Sequence, residues 1–416
     1  MAVLLNDLFF PKTDPHTAAL LTAFAFCSTF IFRPFGALLF GYIGDHIGRK
    51  ATVIITTSMM SISCVIMANL PTYSQVGISA AWLITICRGI QGMSSMGEII
   101  GAQVYVTEIT KPPVQYPAVA FIGVASDIGA MAALGISVLA TSLGFNWRIA
   151  FWVGAAIAVV GSIARIRLRE TPEFVHLKKI KQRKIEETFL DNNTRSIKNS
   201  ELEEFIKRQK VDKKKLTAYF CIQCWWLLSF YLTFIYMNLT LKQVYSYSAE
   251  NVIFHNFLLA TIGCISVIMW AILSSKCNPL KLLNIRSTIF ISFFLIFSIL
   301  LSSSTDYRFI FLWQAILAFF FLGDLPGTSI FISSFPVLKR FSTVSLVFAV
   351  TRALMYIFTS FGLVYLTEWF GHYGLWILVL PVATAYLWGV NHFVKLEKAS
   401  GNFPSSKKTD GLIIKC

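Results

Sequence analysis

The sequence predicts an all-α integral membrane protein built from two helical-bundle halves. Hydrophobic residues make up 56% of its 416 residues and charged residues only 14%, whereas soluble domains carry about 25% charged residues. Apolar stretches that are long enough to cross ~30 Å of hydrocarbon recur along the chain. A basic, polar segment at 169–215 separates these stretches into two groups.

About eleven apolar stretches are predicted to be membrane-spanning helices, five before the polar segment and six after it. They lie at 17–43, 51–69, 78–107, 116–143, 147–168, 216–241, 251–275, 284–304, 308–336, 341–368 and 372–394. Two halves of six helices each would need one more helix at the start. The residues before Lys12 are too few to supply it, because ten residues rise only ~15 Å. We therefore expect the chain to lack a first helix.

The distribution of Lys and Arg predicts the orientation of the chain. With the linker placed in the cytoplasm, only Lys12, Arg148, Lys242 and Arg308 fall in outer loops. The predicted domains are an N-terminal bundle at 1–168, a cytoplasmic linker at 169–215 that is partly helical around 200–210, a C-terminal bundle at 216–394 and a cytoplasmic tail at 395–416. The net charge of +15 is then a topology signal, and nucleic-acid binding is not expected.

Charged side chains inside the predicted spans are the first functional candidates, because each is costly in hydrocarbon. At ~1.5 Å per residue, Arg33, Glu98 and Asp127 lie about 15–16 Å from the predicted cytoplasmic ends. Asp324 and Arg352 lie about 18 Å from theirs. The five residues therefore form one layer near the middle of the membrane.

The span 78–107 carries a polar stripe. Its members recur at helical spacing on one face: Arg88, Gln91, Ser95, Glu98 and Tyr105. A polar stripe on an apolar helix faces either other helices or a water-filled cavity. The span 216–241 carries Gln223, Trp225 and Trp226. Aromatic rings can enclose a quaternary ammonium group, although we favour a role in the interfacial aromatic belt.

The first inner loop reads GYIGDHIGRK. It resembles the loop between helices two and three of major facilitator transporters, with Gly41, Gly44, Asp45, Gly48, Arg49 and Lys50 at the family's positions. Asp45 can accept hydrogen bonds from a neighbouring helix end or an arginine, and so latch one conformation. We predict a gating role for Asp45, Arg49 and Lys50. The alternative is a basic loop that only fixes topology.

Further segments resemble the metabolite:proton symporter branch of that family, which includes proline/betaine, citrate, shikimate and 2-oxoglutarate transporters. They read FRPFGALLFGYIGD, RGIQGMSSMGE, NWRIAFW, RLRETPEF and FPVLKR. The likeness covers about 9–175 well and the second half only in patches. It implies proton-coupled symport of a small zwitterion or carboxylate by alternating access, in the inner membrane.

The resemblance, together with the charges inside the predicted spans, suggests roles for single residues. Glu98 lies in the branch's acidic context and is the first candidate for the proton carrier. Asp127 is a second candidate, as a substitute partner for Arg33 or Arg88 or as a position that has drifted. Predicted substrate-binding residues are Arg33, Arg88, Gln91 and Tyr105; for Arg33 a structural ion pair is an equal alternative. Asp324 with Arg352 is expected to be structural or gating.

Departures from the family keep two alternative functions open. The first helix is not expected, and the second-half loop SSKCNPLKLL has lost the Asp and Arg pattern. The alternatives are a truncated, non-transporting remnant and a facilitator-type metabolite exporter. The sequence carries no metal-ligand cluster, phosphate loop or nucleophile–base pattern, so an enzyme is not expected. We expect a monomer whose partners are the solute, protons and lipid, with no cofactor beyond the proton gradient.

Overall fold

A computed structural model describes residues 8–10, 29–142, 146–190, 204, 205, 207, 209–238, 241, 246, 247, 249–303, 307–359, 366 and 369–401. Its long helices are α1 (Arg33–His46), α2 (Arg49–Asn69), α3 (Ile78–Ile109), α4 (Gln115–Ser142), α5 (Arg148–Ile166), α6 (Pro172–Leu190), α7 (Lys213–Phe230), α8 (Ala249–Leu273), α9 (Pro279–Ser303), α10 (Tyr307–Phe319), α11 (Val337–Ile357) and α12 (Gly374–Ala399). Four short helical elements complete the described part: Tyr73–Val76, a π-helical turn at Tyr231–Tyr236, Thr328–Ser333 and a 3₁₀ turn at Gly371–Tyr373. No residue in these described ranges is in a strand, which confirms the all-α class.

Seven helices in the described part of the chain are long and apolar enough to cross a membrane. Their apolar segments are Arg49–Asn69, Gln115–Ala133, Arg148–Ile166, Lys213–Phe234, Phe254–Leu273, Pro279–Ile296 and Gly374–Ala399. Many of their large apolar side chains point outward, for example Ile157 at 68% and Val160 at 67% exposure on α5. Such a surface is stable in lipid but would aggregate in water.

Two predicted elements need correction. The predicted span 308–336 is discontinuous, because α10 ends at Phe319 and a short helix begins only at Thr328. The linker carries a helix, α6, that begins at Pro172, where proline's missing N–H costs no hydrogen bond. The predicted linker helix at 200–210 lies largely outside the described residues, as do residues 17–28 of the first predicted span.

Contacts divide the chain into two compact units. Unit 1 comprises Met1–Ile109, Ala132–Val211 and Phe335–Ala353, and unit 2 comprises Thr110–Met131, Asp212–Ser334 and Leu354–Cys416. The predicted division of the chain into two consecutive bundles and a linker stays a prediction.

Unit 1 is centred on α2, which packs against α5 and α3, while α1 packs against α3. The contact of α1 with α3 requires a glycine. A Cβ added to Gly36 would lie 2.5 Å from the carbonyl oxygen of Met93 and 2.6 Å from its Cα. In unit 2, α7 packs against α12, α8 against α10 and α9 against α12. These packings fix the helices that carry the charged residues described next.

Candidate functional site

Arg49 lies at the centre of a buried charge cluster in unit 1. Its side chain is fully buried, and its guanidinium lies 3.0 Å from Oε1 of Glu108, which is also fully buried. The remaining donors reach backbone carbonyls, with Nη1 2.6 Å from Gly44 O and Nη2 2.5 Å from Val337 O. The ring of Phe174 covers the guanidinium at 4.3 Å. A charge so deeply buried is stable only because every donor direction is satisfied.

Glu108 serves a second cation, Arg340 on α11. Nη1 of Arg340 lies 3.1 Å from Glu108 and 3.1 Å from Glu173. The hydroxyl of Thr171 donates a 2.5 Å hydrogen bond to the other oxygen of Glu108. One carboxylate of α3 thereby joins the starts of α2 and α11 to the segment that leads into α6. We call the residues Asp45, Arg49, Glu108, Glu170, Glu173 and Arg340 the charge cluster.

Asp45 extends the cluster to the backbone of α11. Its carboxylate accepts the N–H groups of Phe341 at 3.0 Å and Ser342 at 2.9 Å. Nη1 of Arg49 lies 3.5 Å away. These are the predicted partners, a neighbouring helix near its end and an arginine. The bonding pattern is confirmed, and the gating role stays a prediction.

Glu170 closes the N-terminus of α2. Its carboxylate accepts the N–H of Arg49 at 3.0 Å and that of Lys50 at 3.2 Å, two donors that have no partner inside the helix. Gly48, just before the helix, has φ 147°, and an added Cβ would collide with Glu170. Lys50, which is not itself a member of the charge cluster, therefore contacts it through this backbone N–H bond to Glu170.

Glu98, the predicted proton carrier, pairs with Arg165. Their closest oxygen and nitrogen atoms are 3.9 Å apart, and the two side chains are 23% and 29% exposed. Thr57 on α2 contacts both, by a hydrogen bond with Glu98 and as acceptor from Nη1 of Arg165. Residues from α2, α3 and α5 therefore meet at this carboxylate.

The other stripe residues of α3 are half-buried positions on one continuous helix. Nε of Arg88 lies 3.4 Å from the hydroxyl of Thr29, and Nε2 of Gln91 lies 3.5 Å from Cys64 Sγ. Tyr105 donates a 2.9 Å hydrogen bond to the carbonyl of Arg169. Arg88 and Tyr105 are about 25 Å apart along the helix axis, so one small solute cannot contact both of these predicted substrate-binding residues.

Arg33 and Arg352 form a second basic site in unit 1. The positive charge of Arg352 is close enough to repel the positive charge of Arg33. Each guanidinium covers a ring, Arg33 that of Phe30 at 4.4 Å and Arg352 that of Phe348 at 3.9 Å. Nε of Arg33 is buried without a hydrogen-bond partner in the described part of the chain. The predicted substrate-binding role of Arg33 stays a prediction.

Asp324 lies in unit 2, whereas its predicted partner Arg352 lies in unit 1. Its Oδ2 accepts hydrogen bonds from Gln223 at 3.1 Å and from Thr328 at 3.0 Å. Among the described residues these direct donors are both neutral. Within unit 2, α7 and the short helix at Thr328–Ser333 therefore bind this carboxylate, and the structural or gating role expected for Asp324 with Arg352 stays a prediction.

The break between α10 and that short helix exposes backbone carbonyls, which neighbouring side chains satisfy. Arg286 on α9 donates a 2.5 Å hydrogen bond to the carbonyl of Leu325 and a second hydrogen bond to the carbonyl of Phe321. Tyr386 on α12 donates 2.9 Å to the carbonyl of Gly323. Irregular backbone persists inside a membrane bundle only where such partners exist.

Asp127 lies at an exposed position of α4 in unit 2. Its carboxylate is close enough to Cys264 of α8 for an electrostatic interaction between the two side chains. The expected partners Arg33 and Arg88 belong to unit 1, so the role of Asp127 in proton coupling stays a prediction. Within the described ranges, no group of three or more His, Cys, Asp or Glu side chains could hold a metal ion.

Several partners were missed by sequence reasoning. They are Glu108, Arg165, Glu170, Glu173, Arg286 and Arg340. The segments RLRETPEF and FPVLKR carry part of the family resemblance and contain Glu170, Glu173 and Arg340. Their place in these segments was the one sequence signal that could have marked the three residues as functional candidates. Glu108 falls one residue beyond the predicted span 78–107, so a search for charges inside spans passes over it.

Comparisons with known proteins agree with this architecture. A family model described as Major Facilitator Superfamily matches residues 5–324. The chain is 34% identical over 194 residues to the proline/betaine transporter of Escherichia coli (strain K12), covering 44% of this chain and 38% of that protein. It is 33% identical over 187 residues to the inner membrane metabolite transport protein YhjE of the same organism, covering 43% and 42%. The aligned segments thus span about two fifths of these relatives.

Solved structures share the fold. The proton:xylose symporter XylE bound to 6-bromo-6-deoxy-D-glucose matches with a TM-score of 0.72 at 15% identity, covering 95% of this chain and 90% of that one. The human organic anion transporter MFSD10 matches with a TM-score of 0.64 at 14% identity, covering 94% and 87%. At such identities the likeness concerns the fold alone.

Proposed function

This chain belongs to the Major Facilitator Superfamily, and on that premise we propose that it is a proton-coupled symporter of a small zwitterion or carboxylate. Membrane transport, rather than enzymatic catalysis, follows from the family, the relatives and the fold. The choice of solute class rests on relatives named for proline, betaine and metabolites, of which this chain matches about two fifths.

The observation that carries proton coupling is the pair of Glu98 and Arg165. A carboxylate inside a span is costly unless a cation or hydrogen bonds compensate it. At 3.9 Å, Arg165 is close enough to favour the ionised form, and both side chains keep some exposure. Any step that withdraws Arg165 would leave Glu98 in an apolar setting and favour its protonation. Arg165 lies in the last turn of α5, where its long side chain can follow a small helix movement.

The basic site of Arg33 and Arg352 supports recognition of a carboxylate. The buried Nε of Arg33 has no hydrogen-bond partner among the described residues and can donate to an anion, and the nearby charge of Arg352 adds to the positive potential there. Planar guanidinium groups bind carboxylates through paired hydrogen bonds. A solute carboxylate at this place would satisfy the buried donor of Arg33.

The charge cluster supports a gating role at the start of α11. Glu108 and Asp45 hold Arg340 and the backbone of Phe341 and Ser342 against α3 and α1. Alternating access needs contacts that form in one state and break in another. We assign that part to the charge cluster, with Asp45 and Arg49 as predicted and Glu108 and Arg340 added.

Uptake into proteoliposomes tests the proposal. Purified protein should accumulate radiolabelled betaine or proline when an inward proton gradient is imposed, and a protonophore should abolish that accumulation. Glu98→Gln should lose gradient-driven accumulation and keep exchange of labelled for unlabelled solute, because the neutral side chain mimics the protonated state. Ser95→Ala, one turn away on α3, is the matched control and should behave like the wild type. Gradient-driven accumulation by Glu98→Gln at the wild-type level would refute the proposal.

We also propose that the protein lies in the inner membrane with the linker and C-terminus in the cytoplasm. The support is the placement of Lys and Arg in the sequence. A fusion of a fluorescent protein to the C-terminus should fluoresce, and a fusion to alkaline phosphatase should be inactive. Activity of the phosphatase fusion would reverse the orientation.

A further inference from the structure

An aromatic stripe lies on the accessible edge of α7 and of the π-helical turn at Tyr231–Tyr236 that follows it. Trp226, Phe230 and Phe234 follow one another at four-residue spacing and are partly exposed, whereas most neighbouring positions of the helix are buried. Trp225, by contrast, is 1% exposed and packs on Phe290 and Tyr386. The belt interpretation is therefore wrong for Trp225, which does not face lipid. Trp226, Phe230 and Phe234 are called the aromatic stripe below.

The rings of the aromatic stripe are ordered against one another. Trp226 and Phe230 stack with centroids 5.6 Å apart and an interplanar angle of 8°. Phe230 and Phe234 follow at 5.4 Å. Phe321, in the break after α10, meets Trp226 edge to face at 6.4 Å. The stripe therefore presents π-electron density beside the helix break.

A carboxylate adjoins this stripe. A Cβ added to Gly323 would lie 3.2 Å from Cδ1 of Trp226, so the backbone of the break touches that ring. The next residue is Asp324, which is partly exposed and whose direct donors, within the described residues, are an amide and a hydroxyl. The nearby cation Arg286 is buried and donates to two backbone carbonyls. The positive charge of Arg286 is close enough to act on Asp324, but within the described residues no cationic side chain donates a hydrogen bond to that carboxylate, which stays partly exposed beside the rings.

The sequence repeats the same acidic pattern in both units with different partners. Residues 96–101 read MGEIIG and residues 322–327 read LGDLPG, so both segments share the pattern Gly-acid-x-x-Gly. Glu98 has Arg165 as a cationic partner at 3.9 Å. The equivalent acid in unit 2 has neutral donors and an aromatic neighbour. Asp324 therefore has hydrogen-bonding capacity left for a cationic group that approaches from the side of the rings.

We propose that Asp324 and the aromatic stripe form a recognition subsite for the ammonium group of a solute. Aromatic faces attract quaternary and secondary ammonium groups by the cation–π interaction, most strongly at Trp, and a carboxylate adds direct charge complementarity. The inference rests on the proposed transport function and narrows its substrate class to ammonium zwitterions. It excludes dicarboxylates such as 2-oxoglutarate, whose second negative charge would approach Asp324.

A pair of isosteric ligands tests the charge requirement in the wild-type protein. Glycine betaine and 3,3-dimethylbutanoate have the same shape and carboxylate, but a carbon replaces the positive nitrogen in the second. Calorimetric titration of the purified full chain in detergent should show betaine binding at least about tenfold more tightly. Equal affinities, or no binding of betaine, would overturn the proposal.

Variants of the aromatic stripe and of Asp324 test which residues cause the preference for betaine over the isostere that lacks the positive nitrogen. Trp226→Leu should weaken betaine binding by about 3- to 30-fold, and Trp226→Phe should recover most of it, because a π face is restored. Asp324→Asn should reduce the preference for betaine over its isostere. Trp388→Leu, at a 48% exposed position of α12, is the matched control and should bind like the wild type. An unchanged preference in both Trp226→Leu and Asp324→Asn would overturn the assignment.

The outcomes separate this inference from the proposed function. Gradient-driven uptake of 2-oxoglutarate without uptake of betaine would leave symport intact and overturn the ammonium subsite. Betaine binding that depends on Asp324 and Trp226 would support the subsite. If betaine uptake into proteoliposomes at the same time did not respond to a proton gradient, proton coupling would be refuted.

Discussion

The replacement Glu108→Gln removes the negative charge at the centre of the charge cluster. Glu108 is fully buried and compensates two cations, Arg49 with no exposure and Arg340 with 5%. Glutamine keeps the shape of the side chain, so packing changes little. Its neutral amide leaves the two guanidinium groups without their shared counterion.

The structure sets the magnitude of this effect. Removing one partner of a buried ion pair costs about 3–5 kcal/mol, because the other charge stays buried and uncompensated. Glu173→Gln is the matched control. Glu173 binds the same Arg340 at 3.1 Å, but its side chain is 44% exposed. Solvent screens such a pair, and its loss should cost at most about 1 kcal/mol.

Equilibrium unfolding in mixed micelles, followed by helical circular dichroism, measures both variants. The free energy of unfolding of Glu108→Gln should fall by about 3 kcal/mol, and that of Glu173→Gln by no more than a third of that. Equal losses in the two variants would refute the reasoning, since the predicted difference follows from the burial of Glu108 and from the second cation, Arg49, that it compensates.

Two further predictions concern packing and helix capping. Gly36→Val should reduce the yield of folded protein in size-exclusion chromatography, because its side chain would overlap the backbone of Met93; Gly129→Val, where nothing lies within 4 Å of an added Cβ, should not. A wild-type yield of Gly36→Val would show that α1 does not pack on α3 as described. Glu170→Gln should lower the free energy of unfolding by about 0.5–2 kcal/mol through weaker capping of α2, and an unchanged value would contradict the capping assignment.

Hydropathy predicts the helical class and most of the spans, since lipid requires long apolar helices whatever their partners. It cannot predict the break after Phe319. The residues there, FFLGDLPG, remain apolar enough to continue a span, and the break is stable only because Arg286 and Tyr386 reach its carbonyls from distant helices. Such long-range compensation leaves no periodic signal in the local sequence.

The sequence predicted which acidic and arginine side chains are functional candidates, but it did not predict which of them pair with one another. Charges inside spans pointed to Glu98 and Asp324 by cost alone. Their partners depend on which helices pack together, and Arg165 lies 67 positions from Glu98 in the sequence. The predicted partner of Asp324 was chosen by depth in the membrane, which does not specify the neighbouring helix. Depth thus locates a layer, and packing selects the pairs within it.

Direct detection of proton movement tests the central claim most closely. Proteoliposomes containing the wild-type protein and a pH-sensitive dye outside should show external alkalinisation when betaine is added without an imposed gradient, because each inward solute carries a proton with it. Glu98→Gln should exchange betaine without any change of pH. Betaine entry into wild-type vesicles with no proton movement would contradict the account, as would an undiminished pH change in Glu98→Gln.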